Sequence, residues 1–542
     1  MPRHIAADLR TATLDGRTSV GSETRRVPQA IRGQRSTTPA PSGRTVEGAP
    51  SICAASSIPS TPKIGGPLRL AVRSLESEGL DAGDEYLSDG LTQELISALS
   101  QVRGLRVISH ASASGHRGTS RARIPIGFDS GVDAILDGRL RKEANRLVVA
   151  VRLTDARTHE NRWEQRIDGA PEQILAIRGE LSERAVDALG VDLRRVERDA
   201  FHCRPTSSLE AYDAYLKGIQ GFRTLHVVGR DSGKVARDTS GYFDQAIRAD
   251  PQFSAAYAYL ANYLLALTGE TVPITAVVAR IRALVAKALE LTPDLAEAHT
   301  AQGNLAMQAD HDWRQAGAEF RRAIALNPSS SAAHFWYGDL LSFCLQRYNE
   351  AKRQFRTAVD LDPLWLLPRI CLIWTEVNFG AIESAVSRCE NTAQLFPDSV
   401  LIRVALAWCY ALANRDREAL QLVAPMVASP GPLAYESPAG VLAYLGQSER
   451  ARAMLADWKA GRLKGYLSRP GAAAYYALIG ERNVALGLLE REFRERDFCS
   501  WGDHQGPWFD SIREEPVFVH LLQRLDLPPT LSRSLMLGRA LN

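Results

Sequence analysis

Five prolines, Pro251, Pro293, Pro328, Pro363 and Pro397, follow one another at intervals of 42, 35, 35 and 34 residues, each closing a stretch with helical apolar spacing. Proline cannot continue a helix, so its return at a near-constant interval marks the end of the same supersecondary unit again and again. A unit of this size cannot bury its apolar face alone and must stack on its neighbours. The lettering inside the period agrees. Ala246, Ala288, Ala323 and Ala358 stand five residues before four of the prolines, where a second helix must approach its neighbour closely. Phe243, Phe320 and Phe355 stand eight residues before theirs and would fill the space between helices, while Gly303 and Gly338 supply the small residue of the first helix.

This pattern resembles the tetratricopeptide repeat (TPR), a pair of antiparallel helices of about 34 residues. Beyond Pro397 the period continues through Ala405, Leu406, Tyr410 and Ala419, then Leu442, Leu445, Gly446 and Ala451, then Tyr476, Gly480 and Ala485. An earlier unit begins at Ala211, Tyr215 and Gly218, with an insertion expected over 229–240. The array is therefore read as about eight helical hairpins over residues 205–496. The segment from 497 to 542, with Trp501, Trp508, Phe509 and Phe518, is expected to dock as a cap over the last repeat before a free tail.

Upstream the texture alternates. An apolar run over 68–75 reads as a strand, and Leu91, Leu95, Ile96 and Leu99 share one face of a following helix with Asp89 placed as its N-cap. Residues 105–108, 132–136, 147–153 and 161–167 read as further strands, and 174–189 as a helix. A small α/β domain over residues 67–200 results. Residues 1–66 are rich in Arg, Ser, Thr, Pro and Gly without apolar periodicity and read as a disordered arm. Its arginines are dispersed rather than clustered, which favours a flexible leader over a nucleic-acid or lipid contact. The fold class is mainly α: a helical-hairpin solenoid preceded by a small α/β domain and a disordered arm.

Residues 67–200 resemble the TolB-type amino-terminal domain of bacterial multidomain regulators. The resemblance is carried by Tyr86-Leu87-Ser88-Asp89-Gly90-Leu91-Thr92-Gln93-Glu94-Leu95-Ile96, by Leu105-Arg106-Val107-Ile108, by Ala134-Ile135-Leu136-Asp137-Gly138 and by Val151-Arg152-Leu153-Thr154-Asp155-Ala156. The stretch from Trp508-Phe509-Asp510 through Arg513 to Pro516-Val517-Phe518 is similar to the usual ending of these proteins. Two departures stand out. Arg73, Ser74 and Leu75 replace the proline and phenylalanine that usually end the first strand, and residues 1–66 are too short and polar for the winged-helix or nucleotide cyclase domain that often precedes this pair of modules. The resemblance implies a regulatory protein in bacterial signalling or gene regulation that lacks those domains.

Chemistry is sparse. No phosphate-binding loop occurs, and the eleven histidines form no metal pair at helical spacing. Asp81, Asp84, Glu85 and Asp89 suit a helix amino terminus better than a cation site, and Cys499, Asp503 and His504 fit a capping loop better than a nucleophile with its base. No cofactor, metal or catalytic residue is therefore expected. Nor does a net charge of +3 over 542 residues steer the chain to nucleic acid, and no apolar run is long enough for a membrane span, so a cytoplasmic protein is expected. The seven cysteines are odd in number and not closely paired, which fits reduced thiols. His299 and His334 occupy equivalent packing positions. Gln302, Asn304, Asp339 and Arg369, on first helices, are the candidates for contacting a protein or peptide in the groove.

Overall fold

The computed structural model describes residues 67–79, 85–109 and 131–528, with short breaks at 144–145, 171–172, 203–204, 224–231, 269–271, 398, 429–437, 461–468 and 496–503. The expected arm over 1–66 lies outside the described residues.

Strand β1 (Leu68–Val72) is central: it runs parallel to both β3 (Leu105–Ser109) and β4 (Ala134–Glu143). Leu70, Ala71 and Val72 are buried in succession, as an apolar run must be where both sheet faces are covered. From β4 the sheet continues as an antiparallel meander through β5 (Arg146–Asp155) to β6 (Asn161–Gly169), giving the order β3-β1-β4-β5-β6. A three-residue strand absent from the sequence reading, β2 (Glu76–Glu78), pairs with β4.

Helix α1 (Glu85–Ser100) begins four residues before the expected N-cap. Asp89 lies in its second turn, where its carboxylate accepts from Gln220 Nε2 at 3.4 Å. Hydroxyls of the same helix instead hold the chain after β1: Thr92 Oγ1 accepts from Leu75 N at 3.0 Å, and Ser88 Oγ donates to Leu75 O. That pinning buries Leu75. Helix α2 (Ile174–Leu189) ends on Gly190, whose φ of 68° and N–H bond to Asp187 O form a left-handed C-cap. Helix α3 (Arg195–His202) then leads into the array.

Eight hairpins follow among the described residues. They pair α4 (Leu209–Arg223) with α5 (Ser232–Ala249), α6 (Ser254–Leu267) with α7 (Val278–Leu291), α8 (Ala296–Leu305) with α9 (Trp313–Leu326), and α10 (Ser331–Asp339) with α11 (Tyr348–Leu361). The remaining four pair α12 (Leu366–Asn378) with α13 (Ile382–Leu395), α14 (Val400–Leu412) with α15 (Asp416–Ala428), α16 (Pro438–Tyr444) with α17 (Ser448–Lys459), and α18 (Arg469–Leu478) with α19 (Arg482–Glu495). The insertion expected over 229–240 is mostly helix, because α5 starts at Ser232.

The repeat letters act as their spacing requires. A Cβ built on Gly218, Gly303 or Gly338 would come within 2.7, 2.7 and 2.9 Å of the rings of Phe243, Phe320 and Phe355, so each phenylalanine fills the space left by the glycine of its own hairpin. Ala246, Ala288, Ala323 and Ala358 are all fully buried. The turn inside successive hairpins also needs one left-handed residue. His311, Gln346, Gly380, Asn414, Gly446 and Gly480 provide it, with φ between 52° and 86°.

The apolar core does not divide at the junction between sheet and repeats. One cluster runs from Leu70 and Leu136 through α1 and α2 into Tyr215, Phe243 and Tyr263 of the first hairpins and on to Leu305. A second begins at Ala306 and runs to Leu527. Polar contacts extend the docking: Val107 N on β3 donates to Ser329 Oγ at 3.3 Å, and Arg106 lies 3.8 Å from Asp360.

Candidate functional site

The candidate groove is the face built by the first helices of the hairpins. Four of these helices, α6, α8, α10 and α12, begin just after a proline turn, and in each the residue six positions beyond that proline bonds back to it. Tyr257 Oη donates to Pro251 O at 3.3 Å, His299 Nε2 to Pro293 O at 2.9 Å and His334 Nε2 to Pro328 O at 3.1 Å. Arg369 belongs to the same series, since its Nε and Nη2 donate to Pro363 O at 3.1 and 3.0 Å. The second ring nitrogens of the histidines reach the neighbouring helix, Nδ1 of His299 lying 2.7 Å from Glu319 and that of His334 2.6 Å from Gln354. Burial pushes the His334 pKa down, so its neutral ring is favoured. These residues hold turns, and Arg369 spends its fork of donors on one.

The other candidates lie further along their helices. Gln302 is half-buried on α8. Asn304 is 1% exposed, and neither its Oδ1 nor its Nδ2 finds a hydrogen-bond partner. One repeat later, Asp339 ends α10 half-buried. Nearby, Thr268 Oγ1 donates to Gln308 Oε1 at 2.6 Å, so the early part of this face carries buried polar side chains.

The later part of the face is occupied by the chain itself, which goes further than a cap on the last hairpin. Residues 504–528 cross back over the first helices. Gln505 Nε2 donates to Phe343 O at 2.7 Å, while Gln505 Oε1 accepts from Tyr348 Oη at 2.9 Å. Trp508 inserts edge-on between Trp374, at 5.5 Å and 80°, and Trp408, at 5.8 Å and 74°. Ser511 Oγ donates to Ala477 O at 3.0 Å on the eighth hairpin, and Leu525 O accepts from Trp313 Nε1 at 2.8 Å on the third. Arg513, 3% exposed, shapes this segment from within, donating to His504 O at 3.0 Å, Gly506 O at 2.8 Å and Asp510 Oδ1 at 2.8 Å. A short helix, α20 (Pro516–Arg524), completes it, with Phe518 against Phe509 at 5.5 Å.

Asp81, Asp84, Cys499 and Asp503 lie outside the described residues, and among those described no cluster of three or more His, Cys, Asp or Glu is arranged to hold a metal ion. Sequence reading missed one buried ion pair: Arg178 Nη1 lies 2.8 Å from Glu94 Oε2, and its Nη2 donates to Phe201 O at 3.0 Å. Desolvation raises the Glu94 pKa against the pull of Arg178. The pair ties α1, α2 and α3 together beneath the first hairpin.

No family model matches this chain. It is similar to a protein of Rhizobium meliloti (strain 1021) named "Putative adenylate cyclase 3", with 28% identity over 199 residues, covering 37% of this chain and 32% of the relative. The match thus spans about a third of that protein's length. Among solved structures it is similar to PilF of Pseudomonas aeruginosa (17% identity, 45% of this chain and 92% of the other, TM-score 0.30). A TPR protein of Parabacteroides merdae ATCC 43184 is also similar (12% identity, 58% and 99%, TM-score 0.31). At these identities and scores the assignment of the fold rests on the eight hairpins themselves. No helix among the described residues is long and apolar enough to cross a membrane.

Proposed function

We propose that this chain is a non-catalytic regulatory scaffold that binds a protein segment on the first-helix face of its repeats, within a bacterial signalling or gene-regulatory assembly in the cytoplasm. The observation that carries the reading is that this face already holds a polypeptide, residues 504–528, through aromatic insertion and side-chain bonds to backbone carbonyls. The early part of the same face, from Thr268 to Asp339, is where a separate segment would lie. There the carboxamide of Asn304 is buried with neither its oxygen nor its nitrogen paired, a polar feature beneath the proposed segment. Gln302 and Asp339 flank it in this reading, while Arg369 acts on its turn.

We also propose the division into an arm over 1–66, a TolB-type domain over 67–200, repeats over 205–496 and a closing segment over 497–542. The test is site-specific photo-crosslinking with the full chain in a lysate of the source cells. A probe at Gln302 is expected to trap one discrete protein, and a probe at the exposed Tyr242 on α5 is expected to trap none. Equal labelling at both positions, or none at Gln302, overturns the reading.

A second reading, a cyclase-associated signalling protein, draws on the name of the Rhizobium meliloti relative. Formation of cyclic nucleotide from ATP or GTP with Mg²⁺ would favour it over the scaffold.

A further inference from the structure

The edge of the sheet at β6 carries features that the groove reading leaves unused. Among the described residues β6 bonds to β5 alone. It is nine residues long, and Glu164, Arg166 and Asp168 are exposed on one face, while Trp163 and Ile167 on the other pack against the core. The direction of its backbone groups follows from the register. Ala156 N donates to Asp133 O, so odd-numbered residues of the β4 segment face β5. Through the pairs Asp137↔Arg152 and Val151↔Gln165, odd-numbered residues of β6 then bond to β5. The N–H and C=O groups of Glu164, Arg166 and Asp168 point away from the sheet, while a bulge opposite Leu153 and Thr154 takes Arg162 out of this alternation, its guanidinium paired with Asp155 of its own chain.

Charges on an edge strand usually keep other strands off. Here their order does the reverse for one visitor. Alternation restricts an antiparallel second copy of β6 to registers that bring even-numbered residues opposite one another. Setting Glu164 opposite Glu164, or Arg166 opposite Arg166, stacks like charges. The register with Gln165 at the two-fold axis instead sets Glu164 opposite Arg166, twice, while Arg162 and Asp168 keep their own-chain partners Asp155 and Arg146. It also brings Trp163 beside Ile167 of the other copy. The same row already alternates within one chain: Asp137 binds Arg152 at 3.0 Å, and Arg152 is paired across the sheet with Glu164. The next charge in that ladder is a cation, and Arg166 of a second copy supplies it.

We propose that two copies of this chain associate through the outer edges of β6, antiparallel about Gln165, to form one continuous sheet. The test is sedimentation of the full-length protein at about 50 µM, with circular dichroism as a check on folding. Wild type is expected at twice the 59.4 kDa of one chain. Glu164→Arg and Arg166→Glu each place like charges at both central pairs, and each is expected to weaken association at least tenfold. An equimolar mixture of the two variants restores opposite charges at both pairs and is expected to dimerise as wild type does, as is the double variant. Wild type sedimenting as a monomer, single variants that remain dimeric, or a mixture that stays monomeric would each overturn the proposal.

Discussion

Replacing Trp508 by alanine removes the wedge that holds the closing segment against the repeats. The side chain is 4% exposed and stands edge-on to two further indoles. A tryptophan buries roughly 200 Å², which at about 25 cal/mol per Å² corresponds to ~5 kcal/mol of transfer free energy, and each edge-to-face contact adds about 1 kcal/mol. Partial collapse of the site recovers some of this, so the expected loss is about 3–5 kcal/mol. The loss should appear first as local opening. Hydrogen exchange read by mass spectrometry should show residues 504–528, with Trp374 and Trp408 beneath them, losing protection under conditions where β1 and β4 keep theirs. Limited proteolysis should then cut within 504–528. A variant with wild-type exchange there and a stability loss under 1 kcal/mol would refute the view that Trp508 anchors the segment.

Gly303→Ala drives a methyl group to 2.7 Å from the Phe320 ring and should cost about 1–3 kcal/mol in urea denaturation, whereas Gly241→Ala, with nothing within 4 Å in mid-helix, should gain about 0.5–1 kcal/mol. Asn304→Leu relieves a buried, unpaired amide and should leave thermal stability unchanged or raised by about 1 kcal/mol while it weakens crosslinking at Gln302; a loss above 2 kcal/mol would mean that the amide is satisfied. Asp155 accepts from Thr158 N and Arg157 N and faces Arg162, and these bonds, led by that from Thr158, hold its pKa down at about 2. Its contribution of about 2 kcal/mol is therefore complete above the unfolded value near 3.8 and is lost as pH falls from there to about 2. In Asp155→Asn that part of the acid-unfolding profile should flatten.

The repeat array was legible because its letters interact over short distances. Gly303 meets Phe320 and Gly338 meets Phe355 within one hairpin, so the spacing in sequence is also the spacing in the packing. The turn role of Arg369 was legible too, though not read: it lies 35 residues beyond His334, as His334 lies beyond His299. The start of α1 misled because the acids before Leu91 resemble a cap, whereas Ser88 and Thr92 are turned to Leu75, well upstream. The path of the closing segment could not be read at all. Its bonds join Trp313 to Leu525 and Phe343 to Gln505, pairs separated by 212 and 162 residues, and no periodicity encodes such a partner. The continuity of core from sheet to repeats escaped for the same reason.

A stack of repeats is ordinarily complete at every step of its growth, since each unit leans only on the one before it. The return of residues 504–528 to the third hairpin changes that order of events. During synthesis Trp313, Trp374 and Trp408 leave the ribosome long before Trp508 and Leu525, and until those arrive the surfaces they cover on the third to sixth hairpins stand open. At roughly 5–20 residues per second the interval from Trp313 to Leu525 lasts about 10–40 s, long enough for a chaperone to bind or a protease to cut. A chain stopped short of Trp508 would hold that apolar surface open permanently, so premature termination even this late should mark the product for disposal.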